Sequence, residues 1–501
     1  MHRCRFWSFL SFQVPDPPEA LRADDVELKG GHFSGNTDKK GIFMMKGSAL
    51  RILLFVYVCA FSWGIMAGES TAEEASGLPP LTLEQAVKTG LEKNPKMSAS
   101  QFQLDASAAR IKEALSGLYP RIDFNQSFVT TTNPAQAFSI KLNQEQITAQ
   151  DFDPARLNDP PTTNNFASTF SLSMPLYDAG QIRAGVKQAR LGHESATLSA
   201  DRTRQEVIAS VVVAYVGALT AQDQLKDIHQ TLETARANEK IVRARYENGL
   251  VVKSDLLRAG VRIAGLEQER LTAESQVAVA MAVLNAAMGT EMDHVYKLVP
   301  LERTGSVPPG SLKEWLQKAR DQRPDLKQLK AQEMIADEGV EKAKLAYLPS
   351  LHLTGSYQMD TEDFSKTANN YTVGLLLRFN LFSGFENEWR VHEALANLEQ
   401  VKALIKQFEL GVEVETRRAY SQTQSASERI KVAEAAVSQA EESLRIVRNR
   451  YENGLFTIVD LLDSETALQL ARTHYLRSNY DYTVARAQLY LAAGSMDENF
   501  R

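Results

Sequence analysis

The sequence predicts an α+β fold in which two long antiparallel helical hairpins accompany four β-strands. Three features of the 501-residue chain indicate this fold. One short segment occurs twice, two long stretches contain no proline, and four short runs alternate between apolar and polar residues. Because internal duplication constrains architecture before any local assignment, each half of the chain is expected to carry one hairpin and two strands.

The duplicated segment, Arg-Tyr-Glu-Asn-Gly-Leu, occupies residues 245–250 and returns at residues 450–455, an offset of 205 residues. An aspartate followed by two leucines comes after each copy, starting at Asp255 and at Asp460. The repeated residues are those of a helix end and a tight turn, not of a catalytic pocket. The duplication therefore predicts a repeated helical hairpin.

The apolar segment near the N-terminus has the pattern of an export signal. Lys46 and Arg51 precede residues 52–67, which carry no charge. A basic start, an apolar run and a small-residue end are typical of a secretory signal peptide. We expect a signal peptide at residues 44–67, with residues 1–43 an incorrectly assigned start. No later stretch is expected to be long and apolar enough for a transmembrane helix.

Cysteine content, charge and motifs exclude several function classes. Both cysteines, Cys4 and Cys59, precede the mature chain, which therefore has no disulfide and no thiolate metal site. The net charge is −6 with the two signs interspersed, which argues against a nucleic-acid partner. The sequence has no zinc-protease motif, Walker loop, serine elbow or cluster of metal ligands. We therefore expect no enzyme, no cofactor and no metal.

The mature chain is expected to form a first structural repeat at residues 68–300, a second at residues 301–494 and a short tail at residues 495–501. Each repeat opens with a capping box, in which Ser or Thr is followed three residues later by Glu or Gln. These boxes start at Thr82 and Ser311. A helix is expected to begin at each of them.

Four runs of alternating apolar and polar residues predict strands with one apolar and one polar face. Their length of about ten residues is also the length that a tilted strand needs to cross a bilayer. From the runs alone, a four-stranded soluble sandwich is the simpler interpretation. The polar linkers at residues 130–165 and 360–370 are expected to be loops at a solvent-facing end. The runs are residues 122–128, 166–176, 351–359 and 371–381.

Two proline-free stretches predict very long helices, because no proline occurs between Pro175 and Pro300 or after Pro349. Helices of nearly 70 residues are expected at residues 178–246 and 384–451. At 1.5 Å per residue, each would be roughly 100 Å long.

Mainly apolar residues at alternating spacings of three and four, with one polar break at Glu239 in the first helix, predict coiled-coil packing of these helices. Gly249 and Gly454 suit the left-handed position just beyond a helix end, so the chain is expected to return through residues 255–288 and 460–493. The two spaced sets are Leu225, Ile228, Leu232, Ala235, Glu239, Val242 and Tyr246, and Ile430, Ala433, Val437, Ala440, Leu444, Val447 and Tyr451.

The strand count has a consequence if the strands lie in a membrane. Four strands do not close a barrel, and an open sheet edge is not tolerated in lipid. Bacterial barrels have about eight strands or more. The membrane interpretation therefore requires several chains to share one barrel, and three chains would supply twelve strands.

On these features the chain resembles the TolC family of outer-membrane efflux proteins over residues 81–494. The resemblance implies an α+β membrane protein, a homotrimer with a twelve-stranded outer-membrane β-barrel and a periplasmic α-barrel. Such a protein is the passive exit duct of a tripartite efflux pump or type I secretion system. Implied partners are a periplasmic adaptor, an inner-membrane RND or ABC transporter and outer-membrane lipid. The segments that carry the resemblance are residues 81–95, 118–120, 174–180, 381–384 and the two turns.

Two aspartates at the start of the second returning helix are candidate gate residues. Asp460 and Asp463 would interact with the helix dipole in the simpler interpretation, at about 0.3–1 kcal/mol each. The family resemblance instead implies a ring of six carboxylates at the narrow periplasmic mouth. Asp255 and Arg258 are the matching residues of the first repeat. Tyr451 and Asp255 match family positions that hold the hairpins closed.

One position departs from the family pattern. Phe456 stands where a well-known member carries an arginine, so that ion pair is not transferred to this chain. Closure by other contacts, including contacts of Arg258, is the alternative.

The two turns are candidate docking sites. A helix end followed by a chain reversal accounts for their glycines, whereas the resemblance implies that these tips bind the adaptor. The alternative for the whole chain is a soluble periplasmic coiled-coil adaptor or structural protein. The cargo stays open between drug, metal ion and polypeptide. The docking residues are Tyr246, Glu247, Asn248, Gly249 and Leu250, with Tyr451, Glu452, Asn453, Gly454 and Leu455.

Overall fold

A computed structural model describes residues 80–301 and 310–499 of the protein. The expected signal peptide at 44–67, the expected incorrect start at 1–43 and both cysteines lie outside the described residues. So do the first residues of the expected first repeat and the last two of the tail.

The described part of the first repeat contains ten strands and α-helices, together with one 3-10 helix, Ala149–Phe152. Its two long helices have 67 and 36 residues. The elements are β1 (Pro80–Leu81), α1 (Leu83–Lys93), α2 (Pro95–Ser116), β2 (Arg121–Thr131), α3 (Pro134–Asn143), α4 (Pro154–Asn158), β3 (Thr163–Tyr177), α5 (Gln181–Glu247), α6 (Lys253–Met288) and β4 (Lys297–Leu298).

The second repeat has the same order of long elements, and its two long helices again have 67 and 36 residues. A single turn of helix follows them. The elements are α7 (Leu312–Gln322), α8 (Pro324–Leu345), β5 (Ser350–Thr361), β6 (Ala368–Arg378), α9 (Glu386–Glu452), α10 (Ile458–Ala493) and α11 (Met496–Asn499).

The short helices begin where their sequence signals predict. Thr82 and Ser311 each cap a helix within a complete capping box, which satisfies amides that have no partner inside the helix. Pro95 and Pro324 occupy the first positions of α2 and α8, where the missing N–H costs no hydrogen bond. The helix starts predicted at Thr82 and Ser311 are both confirmed.

The long helices form two antiparallel hairpins, α5 with α6 and α9 with α10. Tyr246, assigned by its spacing to the packed face, is 38% exposed, whereas its counterpart Tyr451 is 7% exposed. The two hairpins therefore differ at their tips. Buried members of the two spaced sets are Ile228, Leu232, Ala235, Val242, Ala433, Leu444 and Tyr451.

The start of α5 lies three residues later than predicted because Asp178 forms a turn ahead of it. The Asp178 carboxylate accepts hydrogen bonds from Gly180 N–H at 3.1 Å and Ile182 N–H at 2.5 Å. Gly180 has a φ of 86°, a conformation that suits glycine. The chain therefore turns sharply from strand to helix.

The four longer strands form one antiparallel sheet in the order β2-β3-β5-β6. One face is apolar, and on it Phe124, Phe170, Tyr357 and Tyr371 are directly paired across all four strands. The opposite face carries mainly polar and small residues, with Val129 and Leu376 as exceptions. Side chains alternate between the faces as the sequence predicted. The last strand ends at Arg378, three residues earlier than predicted.

The linker expected to be a loop at residues 130–165 is instead largely folded. It contains α3, the 3-10 helix Ala149–Phe152 and α4. The prediction was wrong because Asn133 and Asp153, each followed by a proline, act as helix caps. The shorter linker between β5 and β6 has no helix or strand at residues 362–367.

The expectation that no stretch of the mature chain is long and apolar enough to span a membrane is wrong by length and composition. Within the described residues, α5 and α6 both contain such a stretch. In α5, 61% of that stretch is buried inside the fold. There Tyr215 lies in the core, and its hydroxyl accepts a hydrogen bond from Val299 N–H at 3.0 Å. The apolar stretch of α5 thus forms the core beneath β1 and β4.

Each repeat closes against its own pair of short helices. Gly289 and Gly494 end α6 and α10 with a φ of 72°. A Cβ atom on Gly289 would lie 2.5 Å from the Lys93 carbonyl oxygen, and one on Gly494 would lie 2.8 Å from the Arg323 Cα. The two repeats therefore use one packing geometry, in which only glycine fits.

Candidate gate and docking site at the hairpin tips

Both hairpin tips are built by the same helix-ending motif. Leu250 N–H donates to the Arg245 carbonyl at 2.8 Å, and Gly249 N–H donates to the Tyr246 carbonyl at 2.9 Å. This pair of bonds is the Schellman motif, which requires a left-handed residue after the helix. Gly249 has a φ of 70°.

The second tip repeats the motif residue for residue. Leu455 N–H donates to the Arg450 carbonyl at 2.9 Å, and Gly454, with a φ of 76°, donates to the Tyr451 carbonyl at 3.0 Å. Asn453 adds a side-chain bond to the Asn449 carbonyl at 2.8 Å. The two tips thus have the same backbone geometry because they are formed by the same duplicated segment.

The two tips contact each other through Arg245. Its guanidinium group lies 4.9 Å from the centroid of the Tyr451 ring. Its terminal nitrogens donate to the carbonyls of Tyr451 at 3.4 Å and Glu452 at 3.3 Å. A cation over an aromatic face is attracted by the ring quadrupole. Arg245 therefore joins the end of α5 to the end of α9.

Tyr451 and Asp255 lie on one open cavity of about 660 Å³ between the tips. Burial raises the pKa of the Tyr451 hydroxyl, the charge of Arg245 opposes that rise, and the Asp255 carboxylate adds to it. Asp255 is half-buried. The structure therefore brings together two of the predicted gate residues, one from each repeat.

Asp460 completes the capping box at the start of α10, in which Thr457 is the N-cap residue. Its carboxylate accepts hydrogen bonds from Thr457 N–H at 2.9 Å and from the Thr457 hydroxyl at 2.6 Å. These bonds from the Thr457 side chain and backbone lower the pKa of Asp460. In the first repeat Val252 occupies the position of Thr457 and makes no such cap. The two aspartates at matching positions thus have different surroundings.

Asp463 and Arg258 are both exposed. Arg258 lines the same cavity as Asp255, whereas Asp463 does not. Within the described residues neither side chain has a hydrogen bond or an ion pair, so pairing through Arg258 stays a prediction.

Phe456 has its own cationic partner. The Arg450 guanidinium lies 5.2 Å from the centroid of the Phe456 ring, within one hairpin. Sequence reasoning missed Arg245, Arg450 and Thr457. The Thr-x-x-Asp spacing could have revealed Thr457, but no local pattern predicts a contact across the tips.

The predicted docking residues differ in exposure. Leu250 and Leu455 are 73% and 72% exposed at the two apices. Glu247, Asn248, Glu452 and Asn453 are also exposed, whereas Tyr451 is buried. Exposed leucines at matching positions leave two similar apolar knobs on the surface. Within the described part of the chain, no group of three or more potential ligands could hold a metal ion.

Long helical hairpins joined to an antiparallel sheet with one apolar and one polar face fit a channel protein whose sheet meets lipid on one side and water on the other. The chain belongs to the outer membrane efflux protein family, which it matches over residues 86–290 and 315–495. It is an outer-membrane channel protein of the efflux and secretion class that extends into the periplasm. The soluble adaptor alternative is not supported.

Individual relatives agree with this assignment. Alkaline protease secretion protein AprF of Pseudomonas aeruginosa is 27% identical over 423 residues, 81% of this chain and 83% of AprF. Outer membrane protein TolC of Escherichia coli is 22% identical over 449 residues, 87% of this chain and 86% of TolC.

Solved structures show the same fold at lower identity. The CmeC outer membrane channel of Campylobacter jejuni has a TM-score of 0.67 and 18% identity, and the match covers 82% of this chain and 85% of CmeC. The open-state MtrE outer membrane channel of Neisseria gonorrhoeae has a TM-score of 0.67 and 16% identity, and covers 84% of this chain and 90% of MtrE.

Proposed function

We propose that three copies of this chain share one twelve-stranded β-barrel and form a passive exit duct across the outer membrane and periplasm. The observation that carries this proposal is the four-stranded sheet. Its outer strands β2 and β6 each lack a partner on one side within the described residues. Unpaired strand edges are costly in lipid, and pairing β6 of one copy with β2 of the next removes them.

The two faces of the sheet support the membrane assignment. Tyr371, Val373, Leu375 and Leu377 alternate along β6 on the apolar face and are each at least 66% exposed. Such an exposed apolar row is unfavourable in water and suits lipid. The polar face would line an aqueous lumen. Aromatic residues at one level agree with the aromatic girdles of outer-membrane barrels.

The helical hairpins would form the periplasmic part of the duct. Three copies supply six hairpins, and their tips would carry Asp460 and Asp463 around the narrow mouth as a carboxylate ring. Asp255, Arg258 and Tyr451 would hold the mouth closed together with Arg245. The exposed tips would bind a periplasmic adaptor, which couples the duct to an inner-membrane RND or ABC transporter.

The duct itself would carry no catalytic activity, since the transporter supplies the energy. Two of the three cargo classes, polypeptide and drug, are represented among the relatives. One relative is a protease secretion protein and another is an antibiotic efflux pump outer membrane protein.

The mass of the protein extracted in detergent from isolated outer membranes tests the assembly. A heat-sensitive trimer that forms ion-conducting pores in planar bilayers is the expected result. A monomer that forms no pores would contradict the shared barrel.

A further inference from the structure

The two connections between paired strands differ in the two repeats. β5 and β6 are joined by residues 362–367, whereas β2 and β3 are joined by residues 132–162. The longer connection begins with α3, which contacts β3 and β6. It is therefore a folded unit packed on the sheet.

Burial shows which face of the sheet α3 covers. Ala137 and Ile140 of α3 are 1% and 7% exposed. At that end of the sheet, most buried strand residues lie on the polar face, where Ala167 pairs with Asp360 and Asp360 with Ala368. Thr361, which is buried on the apolar face beside Phe364, is the exception. The buried residues on the polar face are Thr163, Asn165, Ala167, Asp360 and Ala368. α3 therefore covers the face that would line the lumen.

A chain of buried hydrogen bonds fastens α3 to this face. Gln144, at the end of α3 and 2% exposed, donates to the Asn164 carbonyl and the Asn165 side chain, both at 2.8 Å. Asn165 donates to the Asp360 carboxylate at 2.7 Å. Gln358 also donates to Asp360, at 2.9 Å and 3.0 Å. The Gln144 Oε1 atom is buried without a partner, but the other bonds of this chain connect buried polar groups and so order the structure.

A second set of contacts keeps the connection compact. Lys141 of α3 forms an ion pair with Asp151 at 2.9 Å, and Thr148 caps the turn through the same carboxylate. These hydrogen bonds from Lys141 and Thr148 lower the pKa of Asp151. Phe138 meets Phe152 edge to face at 5.9 Å.

The position of the connection identifies the end of the channel. All four strands lead into the helices α2, α5, α8 and α9 at their other ends. If those helices extend into the periplasm, α3 lies at the cell-surface end. Three copies would place three such units inside one barrel mouth.

We propose that α3 with its following turn, residues 134–158, is an inward-folded cap that narrows the outer mouth of the channel and limits the size of cargo leaving it. This assignment rests on the proposed trimeric channel. It adds a second constriction at the opposite end from the hairpin tips.

The test uses the short connection of the chain itself. Residues 132–162 are replaced by residues 362–367, and single-channel conductance is measured in planar bilayers. We expect a rise of about twofold or more, because a constriction in series limits the current through a pore. The double variant Gln144→Ala, Asn165→Ala should raise conductance in the same direction. Lys88→Ala, an exposed change on α1 outside residues 134–158, is the matched control and should leave conductance unaltered.

Cysteine accessibility gives a second readout if the replaced loop prevents assembly. The expected mature chain contains no cysteine, so Ala368→Cys, beneath the cap, is a unique thiol. It should react slowly with a hydrophilic maleimide and faster when the Gln144 and Asn165 changes are added. Thr372→Cys, exposed on the same face, should react fast in both backgrounds.

The outcomes separate the two proposals. Pores of unchanged conductance, with Ala368→Cys as reactive as Thr372→Cys, would overturn the cap while leaving the channel intact. Absence of pores in the native protein would overturn the channel itself.

Discussion

The Arg245 guanidinium lies 4.9 Å from the centroid of the Tyr451 ring, and it is the cation that joins the two hairpin tips. Its repeat counterpart, Arg450, instead lies over Phe456 within a single hairpin. The same residue type at matching positions thus has two roles. One arginine links hairpins and the other stabilises one of them.

Replacing the linking arginine should loosen the mouth. We expect Arg245→Ala to shift the closed-to-open equilibrium by about fivefold for each copy in the channel, because a cation–π contact contributes about 1 kcal/mol. Open probability in bilayers measures the shift. Arg450→Ala is the matched control, since its contact does not cross between hairpins. Equal effects of the two changes would contradict the assigned link.

The carboxylates of the second tip should bind cations in the pore. We expect Asp460→Asn with Asp463→Asn to weaken block of the open channel by multivalent cations, as removal of a charged ring does. Asp463→Asn alone is expected to reduce block without disturbing the helix cap. Unchanged cation block in single-channel recordings would contradict the proposed carboxylate ring.

Asp460 also predicts how block depends on pH. Its pKa is lowered by the Thr457 hydrogen bonds, so the carboxylate stays charged below the ordinary value of 3.8. The capping contribution is accordingly present above that value and is lost as pH falls through the lower folded pKa. Block should persist at pH 4, and Thr457→Val should move its loss to higher pH. If cation block depended on pH identically in the native protein and in Thr457→Val, the role assigned to the Thr457 hydrogen bonds would be contradicted.

The closing glycines should tolerate no side chain. We expect Gly494→Ala to lower the unfolding temperature strongly, because its Cβ would lie 2.8 Å from the Arg323 Cα. Gly454→Ala has the same positive φ but nothing within 4 Å, so only backbone strain of about 1–2 kcal/mol applies. Thermal denaturation in detergent compares the two. Similar losses would show that packing at Gly494 is looser than the structure indicates.

Arg323 should stabilise the junction between α7 and α8. It is 3% exposed and donates to Asp325 at 2.7 Å and Glu415 at 2.6 Å. Leaving a buried charge unpaired costs about 3–5 kcal/mol. Because Glu415 is 46% exposed and Asp325 keeps Arg202 at 3.6 Å, Arg323→Asn should destabilise the protein by less than this. The exposed pair of Arg417 and Glu413 offers a control, since Arg417→Ala should change stability little.

The ion pair of Arg323 and Asp325 predicts a loss of stability in acid. Burial acts to raise the pKa of Asp325, but the hydrogen bonds and charges of Arg323 and Arg202 outweigh it, and the pKa is lowered. This contribution is present above the ordinary pKa of 3.8 and is lost as pH falls through the lower folded value. Unfolding temperature should therefore drop below about pH 4 in the native protein and less in Arg323→Asn.

The exposed leucines predict where the adaptor binds. Leu250→Asp with Leu455→Asp should abolish adaptor crosslinking while the protein still assembles, because the leucines are exposed and support no core. The measurement is site-specific crosslinking in cells. Crosslinks of native strength in the double variant would place the adaptor elsewhere.

Much of the fold was predictable because its signals are local and occur twice. Proline positions, capping boxes and period-two runs located the helices and strands to within a few residues. The folded connection after β2 was missed, although Asn133-Pro134 is a helix-starting pair. The Arg245 contact lies beyond any local pattern, since its partners are more than 200 residues away.

The repeats also show how different residues satisfy the same backbone group. The Asn94 side chain donates to the Ala287 carbonyl at 2.7 Å, and Arg323 donates to the matching Ala492 carbonyl at 3.2 Å. Identity of the two residues could not have revealed this correspondence. The correspondence is evident only from their positions, because Asn94 and Arg323 each precede a proline and lie against the glycine that ends the returning helix.

The helices of the two hairpins have equal lengths, and these lengths set how far each hairpin extends from the sheet. Both hairpins descend through 67 residues and return through 36. In the proposed trimer, a docking partner would then meet a level rim of six apices rather than three long and three short ones. Shortening the duct while keeping that rim level requires the same deletion in both repeats. One heptad removed from each helix would shorten it by about 10 Å.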